Sequence, residues 1–206
     1  MKQLGIQVLF VDSNPDPHEF NSIQPNLQMM VETAIEYFVQ AGYQKIGFIG
    51  GRSWDSMEGR HVLRDTRTRC FESRARELGL FNQNYVFIGD NFSVDSGYQV
   101  GREIVGKIRD DLPQAFLVAS DPLAVGVLQA FNENKLTVPE DVSMISINDI
   151  DIAKYVSPPL TTFRIDTEEL GKVAVETLRN LIVAPKKAKR MILLDADLVF
   201  RKSFSI

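Results

Sequence analysis

The stretch Lys45-Ile46-Gly47-Phe48-Ile49-Gly50-Gly51 decides the class of fold. After the lysine, its apolar residues follow one another without polar alternation, and a glycine pair closes the run. A strand with one wet face alternates apolar and polar side chains; a strand covered by helices on both faces does not. Runs of the same kind recur outward from it, at Val8-Leu9-Phe10-Val11, Tyr85 to Ile88, Ala115 to Ala119 and Val142 to Ile147. Stretches of helical period lie between them. Leu27, Met30, Val31, Ala34, Ile35, Phe38 and Val39 make one apolar stripe, with Gly42 as its C-terminal cap. Phe71, Ala75 and Leu78 make a second, stopped by Gly79. A third opens near Ser93 and carries Val100, Ile104, Val105 and Ile108. A fourth opens at Asp121-Pro122, read as an N-cap followed by proline at the first helical position, with Leu123, Val127 and Phe131 facing inward. In the fifth, Asp166 caps and Glu169 follows three residues on, ahead of Leu170, Val173, Ala174, Leu178, Leu181 and Ile182. Repeated strand-then-helix units predict an α/β fold with a doubly wound parallel sheet. Ser157-Pro158-Pro159 reads as a crossover, and Met191 to Phe200 as a final strand.

Bulk properties narrow the function classes. The chain has 206 residues, 44% hydrophobic and 24% charged, the balance of an ordinary globular protein. A net charge of −4 provides no whole-molecule attraction for nucleic acid or anionic lipid. Cys70 is the only cysteine, which excludes an internal disulfide and fits a reducing compartment. Met1 to Gly5 lacks the apolar stretch of a signal peptide, and no run reaches the ~20 apolar residues of a membrane span. The expectation is a soluble, cytoplasmic protein.

In open parallel sheets, ligands sit beyond the carboxyl ends of the strands. Those ends carry Asp12, Gly50-Gly51, Asp90-Asn91, Ser120-Asp121 and Asn148-Asp149, a polar crevice with few fixed charges. Arg67 lies four residues before Phe71, on the sheet-facing stripe at the crevice end of its helix. An arginine there needs an acceptor, because a lone desolvated charge is costly. Its five donors suit ring and exocyclic hydroxyls or a carboxylate, and an internal salt bridge to a strand-end aspartate is the other reading. Phe92 stands at a helix entrance, where its face suits the C–H face of a sugar ring or a local packing contact. Trp54, in the loop after Gly51, reads better as a cover over the core edge.

Other chemistries find little support. Gly47 to Gly51 lacks the G-x-G-x-x-G spacing of a dinucleotide site and any G-K-[ST], so no cofactor is expected. Asp12-Ser13-Asn14-Pro15-Asp16 begins like a calcium loop, but Pro17 stands where glycine is needed and Ile23 where glutamate is needed; it reads as a turn. One cysteine and two scattered histidines, His18 and His61, exclude a familiar zinc site, and no nucleophile–base pair is visible. Arg60, Arg64, Arg67, Arg69, Arg74 and Arg76 alternate with Asp65, Glu72 and Glu77, as on a solvated helix. Lys186-Lys187-Ala188-Lys189-Arg190 has no interleaved aromatics, and no helix-turn-helix is visible.

The chain resembles the lactose-repressor/galactose-repressor (LacI/GalR) regulators. The resemblance is carried in order by Val8 to Asp12, Ala41 to Gly51, Gly89-Asp90-Asn91-Phe92-Ser93 with Ser96-Gly97-Tyr98, and Ala119 to Gly126. It continues through Val138-Pro139-Glu140-Asp141-Val142-Ser143, Ser157 to Arg164 and Glu169-Leu170-Gly171. It implies a periplasmic-binding-protein-like (type I) fold with the effector between two lobes, a homodimer, and DNA binding through a helix-turn-helix headpiece absent from this chain. It further implies that Arg67 contacts a sugar-like effector, that Phe92 packs on it, and that Ser120 and Asn148 take up ligand-binding positions. Ser120 stands where many members have asparagine, and Asn148 where many have aspartate. The domain reading that follows is one complete lobe plus part of a second: 1–43 a remnant of the N-terminal lobe, 44–160 the complete effector-binding lobe, 161–190 a crossover and helix returning to the first lobe, and 191–206 the final strand of the second. The expected role is that of a non-enzymatic regulatory core, with neither metal nor cofactor and no membrane partner. A sugar-binding transport protein and a small α/β enzyme using the strand-end aspartates are the rival readings.

Overall fold

The computed structural model describes residues 6–54, 62–63, 65–184 and 188–204, with 53–54 and 62–63 described by backbone only. The side chain of Trp54, and Arg60, His61, Arg64, Lys186 and Lys187, therefore lie outside the described residues. In chain order the elements are β1 (Leu9–Val11), β2 (Asn21–Pro25), α1 (Leu27–Gln40), β3 (Ile46–Gly51), β4 (Ser53–Trp54), β5 (Val62–Leu63), α2 (Thr66–Glu77) and β6 (Val86–Gly89). They continue as α3 (Val94–Ile108), β7 (Ala115–Val118), α4 (Asp121–Glu133), β8 (Ser143–Asn148), β9 (Thr161–Arg164), α5 (Thr167–Val183), β10 (Met191–Leu194) and β11 (Asp197–Val199). Two compact units result: Met1–Asn26 with Ile165–Ala196, and Leu27–Arg164 with Asp197–Ile206.

The larger unit holds a six-stranded sheet in the order β11-β9-β8-β7-β3-β6. All its pairings are parallel except that of β11 with β9. The chain steps from β3 outward to β6, then returns past β3 to β7, β8 and β9. The direction of winding thus reverses between β3 and β7. α1 and α2 pack together on one face and α3 and α4 on the other, with α2 and α3 carried to opposite sides by crossovers that run in opposite directions. Coverage of both faces explains why every residue of β3 and β7 is buried, as their unbroken apolar character demands.

Glycine allows α3 and α4 to approach until their backbones touch. A Cβ on Gly126 would lie 2.0 Å from the Val94 carbonyl oxygen, and one on Gly97 would lie 2.2 Å from the Leu123 carbonyl oxygen. The C-terminal caps at Gly42 (φ +81°) and Gly79 (φ +70°) are those expected. At each, the following amide bonds back into the last helical turn, Tyr43 to the Phe38 carbonyl and Leu80 to the Ala75 carbonyl.

The smaller unit is a parallel sheet β1-β2-β10 with α5 packed against β1 and β2. Leu170 and Leu181 of α5 are buried and Val173, Ala174 and Leu178 half-buried, so the predicted stripe faces the sheet except at Ile182, which is exposed. Val175, Ile182 and Val183 of the helix, with Met191 and Leu193 of β10, are exposed.

The structure corrects the predicted boundaries. The helix read as part of the 1–43 remnant packs instead against α2 and β7 of the larger unit, because Met30, Val31, Ala34, Ile35 and Phe38 are buried there. The single strand predicted over Met191 to Phe200 is two. β10 extends the smaller unit's sheet beside β2, and β11 closes the edge of the larger sheet beside β9. Thr161–Arg164, read as crossover, is strand β9, paired on both sides. Asp121 is not the cap of α4. Ser120 holds the N-cap position, and Asp121 is the first helical residue. Among the described residues, no helix is long and apolar enough to cross a membrane.

Candidate functional site

Parallel strands end together, so their carboxyl-terminal loops share one edge of the sheet. Register places Gly51 opposite Gly89. Carried past its last pairs, Ile49 with Val118 and Leu117 with Ile145, it sets Ser120 level with Gly51 and Asn148 level with Ser120. This edge, at the winding reversal between β3 and β7, is where open α/β sheets take ligands.

Arg67 enters the edge from the first turn of α2. Its side chain is 13% exposed, and its guanidinium carbon sits 4.6 Å from the centre of the Phe92 ring. The sequence reading placed each of them at this edge separately. Asp65, the N-cap of α2, holds the arginine: its Oδ1 accepts from Nε at 2.7 Å and its Oδ2 from Nη2 at 2.8 Å. The same Oδ1 also accepts the Arg67 backbone amide at 2.9 Å. A third guanidinium bond runs from Nη1 to the Ala119 carbonyl oxygen at the end of β7, at 2.6 Å. Burial pushes the Asp65 carboxyl up, but the hydrogen bonds and charge of Arg67 outweigh it and hold the group below its ordinary range. The internal salt bridge considered for Arg67 therefore exists, to a cap residue rather than a strand-end aspartate. It uses one edge of the guanidinium. Of the five N–H groups, one on Nη1 and one on Nη2 have no partner among the described residues.

Ser120 follows Ala119 directly. Its residue is 2% exposed, and its Oγ is buried with no hydrogen-bond partner. As the N-cap of α4 it could bond the helix amides, yet it makes no such bond. A buried hydroxyl left unsatisfied costs roughly 1–3 kcal/mol. Asn148, at the end of β8, has φ 123° and is followed by Asp149 at φ 54°. Non-glycine residues in such regions cost of order 1–3 kcal/mol each and gather where ligands bind. The Asn148 amide has no partner among the described residues.

The other strand-end groups serve the scaffold. Asp121 is fully buried and accepts from Ser146 Oγ, from Thr162 Oγ1 at 2.7 Å and from the Ile150 amide at 2.9 Å. Burial raises its pKa against those bonds. Asp149, its side chain 2% exposed, is gripped by Arg164 Nε at 2.7 Å and Arg201 Nη2 at 2.6 Å. Burial pushes this carboxyl up, and the two arginines more than reverse that. Asp90 pairs with Arg52 at 3.0 Å, and Asn91 Oδ1 accepts the Ser93 amide at 2.8 Å within its own loop. Asp12 belongs to the smaller unit, and the turn read after it is present, with Asn14 and Asp16 accepting amides two residues on. Among the described residues no group of His, Cys, Asp and Glu is arranged to hold a metal ion.

Sequence reasoning missed Asp65, although Asp65-Thr66 at a helix start is a readable cap signal. It had no means of finding Arg201, which reaches Asp149 from 52 positions away.

The model of the periplasmic binding protein-like domain matches residues 35–204. The chain is 40% identical over its whole length to the HTH-type transcriptional regulator GanR of Bacillus subtilis (strain 168), of which it covers 62%. It is 43% identical over 95% of its length to the HTH-type transcriptional regulator LacR of Lactobacillus helveticus, of which it covers 58%. It thus spans about three fifths of these curated relatives. In fold it is similar to a LacI family transcriptional regulator from Arthrobacter sp. FB24 in complex with lactose. That match has a TM-score of 0.79 at 23% identity and covers 96% of this chain and 71% of that one. The chain belongs to the periplasmic binding protein-like domain family, and the relatives that it resembles along its length are HTH-type transcriptional regulators.

Proposed function

We propose that the chain is the effector-binding core of a LacI/GalR-type transcription regulator, that its effector is a small sugar-like molecule, and that Arg67, Phe92, Ser120 and Asn148 bind it. One observation carries this reading: beside an aromatic face, a nearly buried guanidinium keeps two N–H groups that have no partner among the described residues, while the next strand end buries a hydroxyl that likewise has none. A sugar supplies what each lacks, hydroxyl oxygens for the donors and a C–H face for the ring. The lactose complex of the Arthrobacter protein supports the ligand class.

The chain acts by binding rather than by catalysis. Asp90, Asp121 and Asp149 at the strand ends of the larger unit are tied to partners within the chain, and the relatives are regulators. DNA contact falls to a helix-turn-helix outside these residues, as the HTH-type relatives suggest, and the molecule works in the cytoplasm. The exposed Val175, Ile182, Val183, Met191 and Leu193 of the smaller unit support self-association as a homodimer. Calorimetric titration with lactose and galactose tests the site. Binding should be lost in Arg67→Gln and weakened about tenfold or more in Phe92→Leu, in keeping with the ~1–3 kcal/mol that a hydrophobic contact or hydrogen bond to ligand carries. Unaltered sugar binding in both variants would exclude this site.

A further inference from the structure

Arg67 is the cation that the described residues place against Phe92 in the candidate site, and its charge is already matched. Asp65 grips it through two parallel hydrogen bonds, the strongest geometry available to a carboxylate and a guanidinium. The carboxylate has no freedom to swing aside, because the same oxygen also caps α2 through the Arg67 amide. The remaining described edge groups add little positive charge. Ser120, Asn148 and Phe92 are neutral, Arg52 pairs with Asp90, and Arg164 and Arg201 share the one carboxylate of Asp149, which leaves a single positive charge there, away from the Arg67–Phe92 contact.

Helix N-termini are the usual alternative means of holding an anion. Three helices begin at this edge, and each already carries a carboxylate in its cap or first turn: Asp65 for α2, Asp95 for α3 and Asp121 for α4. At Arg67 a phosphate or carboxylate on the ligand would find the positive charge already matched and would face the Asp65 anion across the guanidinium. Hydroxyl groups face no such penalty, since the two spare N–H groups ask only for a lone pair.

We infer that Asp65 makes the site selective for uncharged polyhydroxylated ligands and excludes their phosphorylated or carboxylated counterparts. This rests on the binding reading above. Asp65 is a positioning residue: it aims the guanidinium at the Phe92 face and cancels its charge. The ionised state that this requires agrees with a carboxyl held below its ordinary range.

The test titrates the 206-residue chain calorimetrically with two matched pairs, galactose against galactose 6-phosphate and lactose against lactobionate. In each pair that binds, the neutral member should bind at least about tenfold more tightly, since like-charge juxtaposition costs several kcal/mol. Asp65→Asn keeps a good helix cap and should narrow or invert that ratio while its circular dichroism stays that of the parent. An anionic member that binds as well as its neutral partner overturns the selectivity and leaves the binding reading standing. So does an Asp65→Asn variant that folds normally and keeps the parent ratio. Absence of binding by all four probes overturns the binding reading, and the inference with it.

Discussion

Replacing Gly126 by alanine puts a methyl group into the backbone contact between α3 and α4. The new Cβ would stand 2.0 Å from the Val94 carbonyl oxygen, 2.4 Å from the Tyr98 nitrogen and 2.8 Å from the Gly97 carbonyl carbon. Ordinary contact begins near 3.4 Å, so the helices must part locally by about 1.4 Å. All three neighbours are backbone, and no rotamer change can relieve them. The cost therefore belongs near the upper end of overpacking, ~3 kcal/mol, against which alanine's better helix propensity returns ~1 kcal/mol. A net loss of about 2 kcal/mol corresponds to a fall in Tm of roughly 4–8 °C for a domain of this size. Gly106 supplies the control, because it lies in α3 with nothing within 4 Å of its Cβ position. Gly106→Ala should stabilise by about 0.4–1 kcal/mol. The separation also reaches the site, since the start of α3 carries Ser93 and Phe92 and the start of α4 carries Ser120. Gly126→Ala should thus lose sugar affinity as well, whereas Gly106→Ala keeps it. Scanning calorimetry with and without lactose reads both effects. A Gly126→Ala protein melting at or above the parent would refute the close-packing account.

Ser120→Ala removes a buried hydroxyl that has no partner; it should raise Tm by about 2–4 °C, from ~1 kcal/mol, while weakening sugar binding. A lower Tm would show that the hydroxyl is already satisfied. Gly42→Ala, at φ +81° with open space around its Cβ position, should cost about 1–2 kcal/mol through backbone strain alone, read as a shifted urea midpoint. Asp149→Asn tests the grip of Arg164 and Arg201. The folded-state pKa of Asp149 is depressed, so its stabilisation is present above the ordinary value of 3.8 and is lost as pH falls through the folded value. The melting gap between Asp149→Asn and the parent should be full at pH 6 and narrow below pH 3.8; a constant gap would contradict the pairing. Asp121 runs the other way. Burial raises its folded pKa, so its contribution is greatest below 3.8 and fades as pH rises through that raised value. Asp121→Asn should therefore compare with the parent less unfavourably at pH 7 than at pH 3.

The sequence by itself determined the sheet type and the position of the site edge. Continuous apolar runs such as Ala115 to Ala119 require helices on both faces, and their repetition with helical stretches leaves little choice but a doubly wound sheet, whose loops gather at one edge. Caps made by neighbouring residues were equally legible, Gly42 and Asp166 among them, because that chemistry is local. What only the tertiary structure decided depends on partners distant in the chain. Asn21-Ser22-Ile23-Gln24-Pro25 has little strand character of its own and is a strand because β1 and β10 flank it. Asp121 and Asp149 looked like ligand groups until Thr162, Ser146, Arg164 and Arg201 arrived to satisfy them. For Arg67 the sequence left a ligand contact and an internal salt bridge both open, and the fold supplied the bridge from Asp65. Periodicity records which face of an element is dry, but a polar side chain's role is set by whichever groups the fold delivers within 3 Å of it, and no spacing rule reports that.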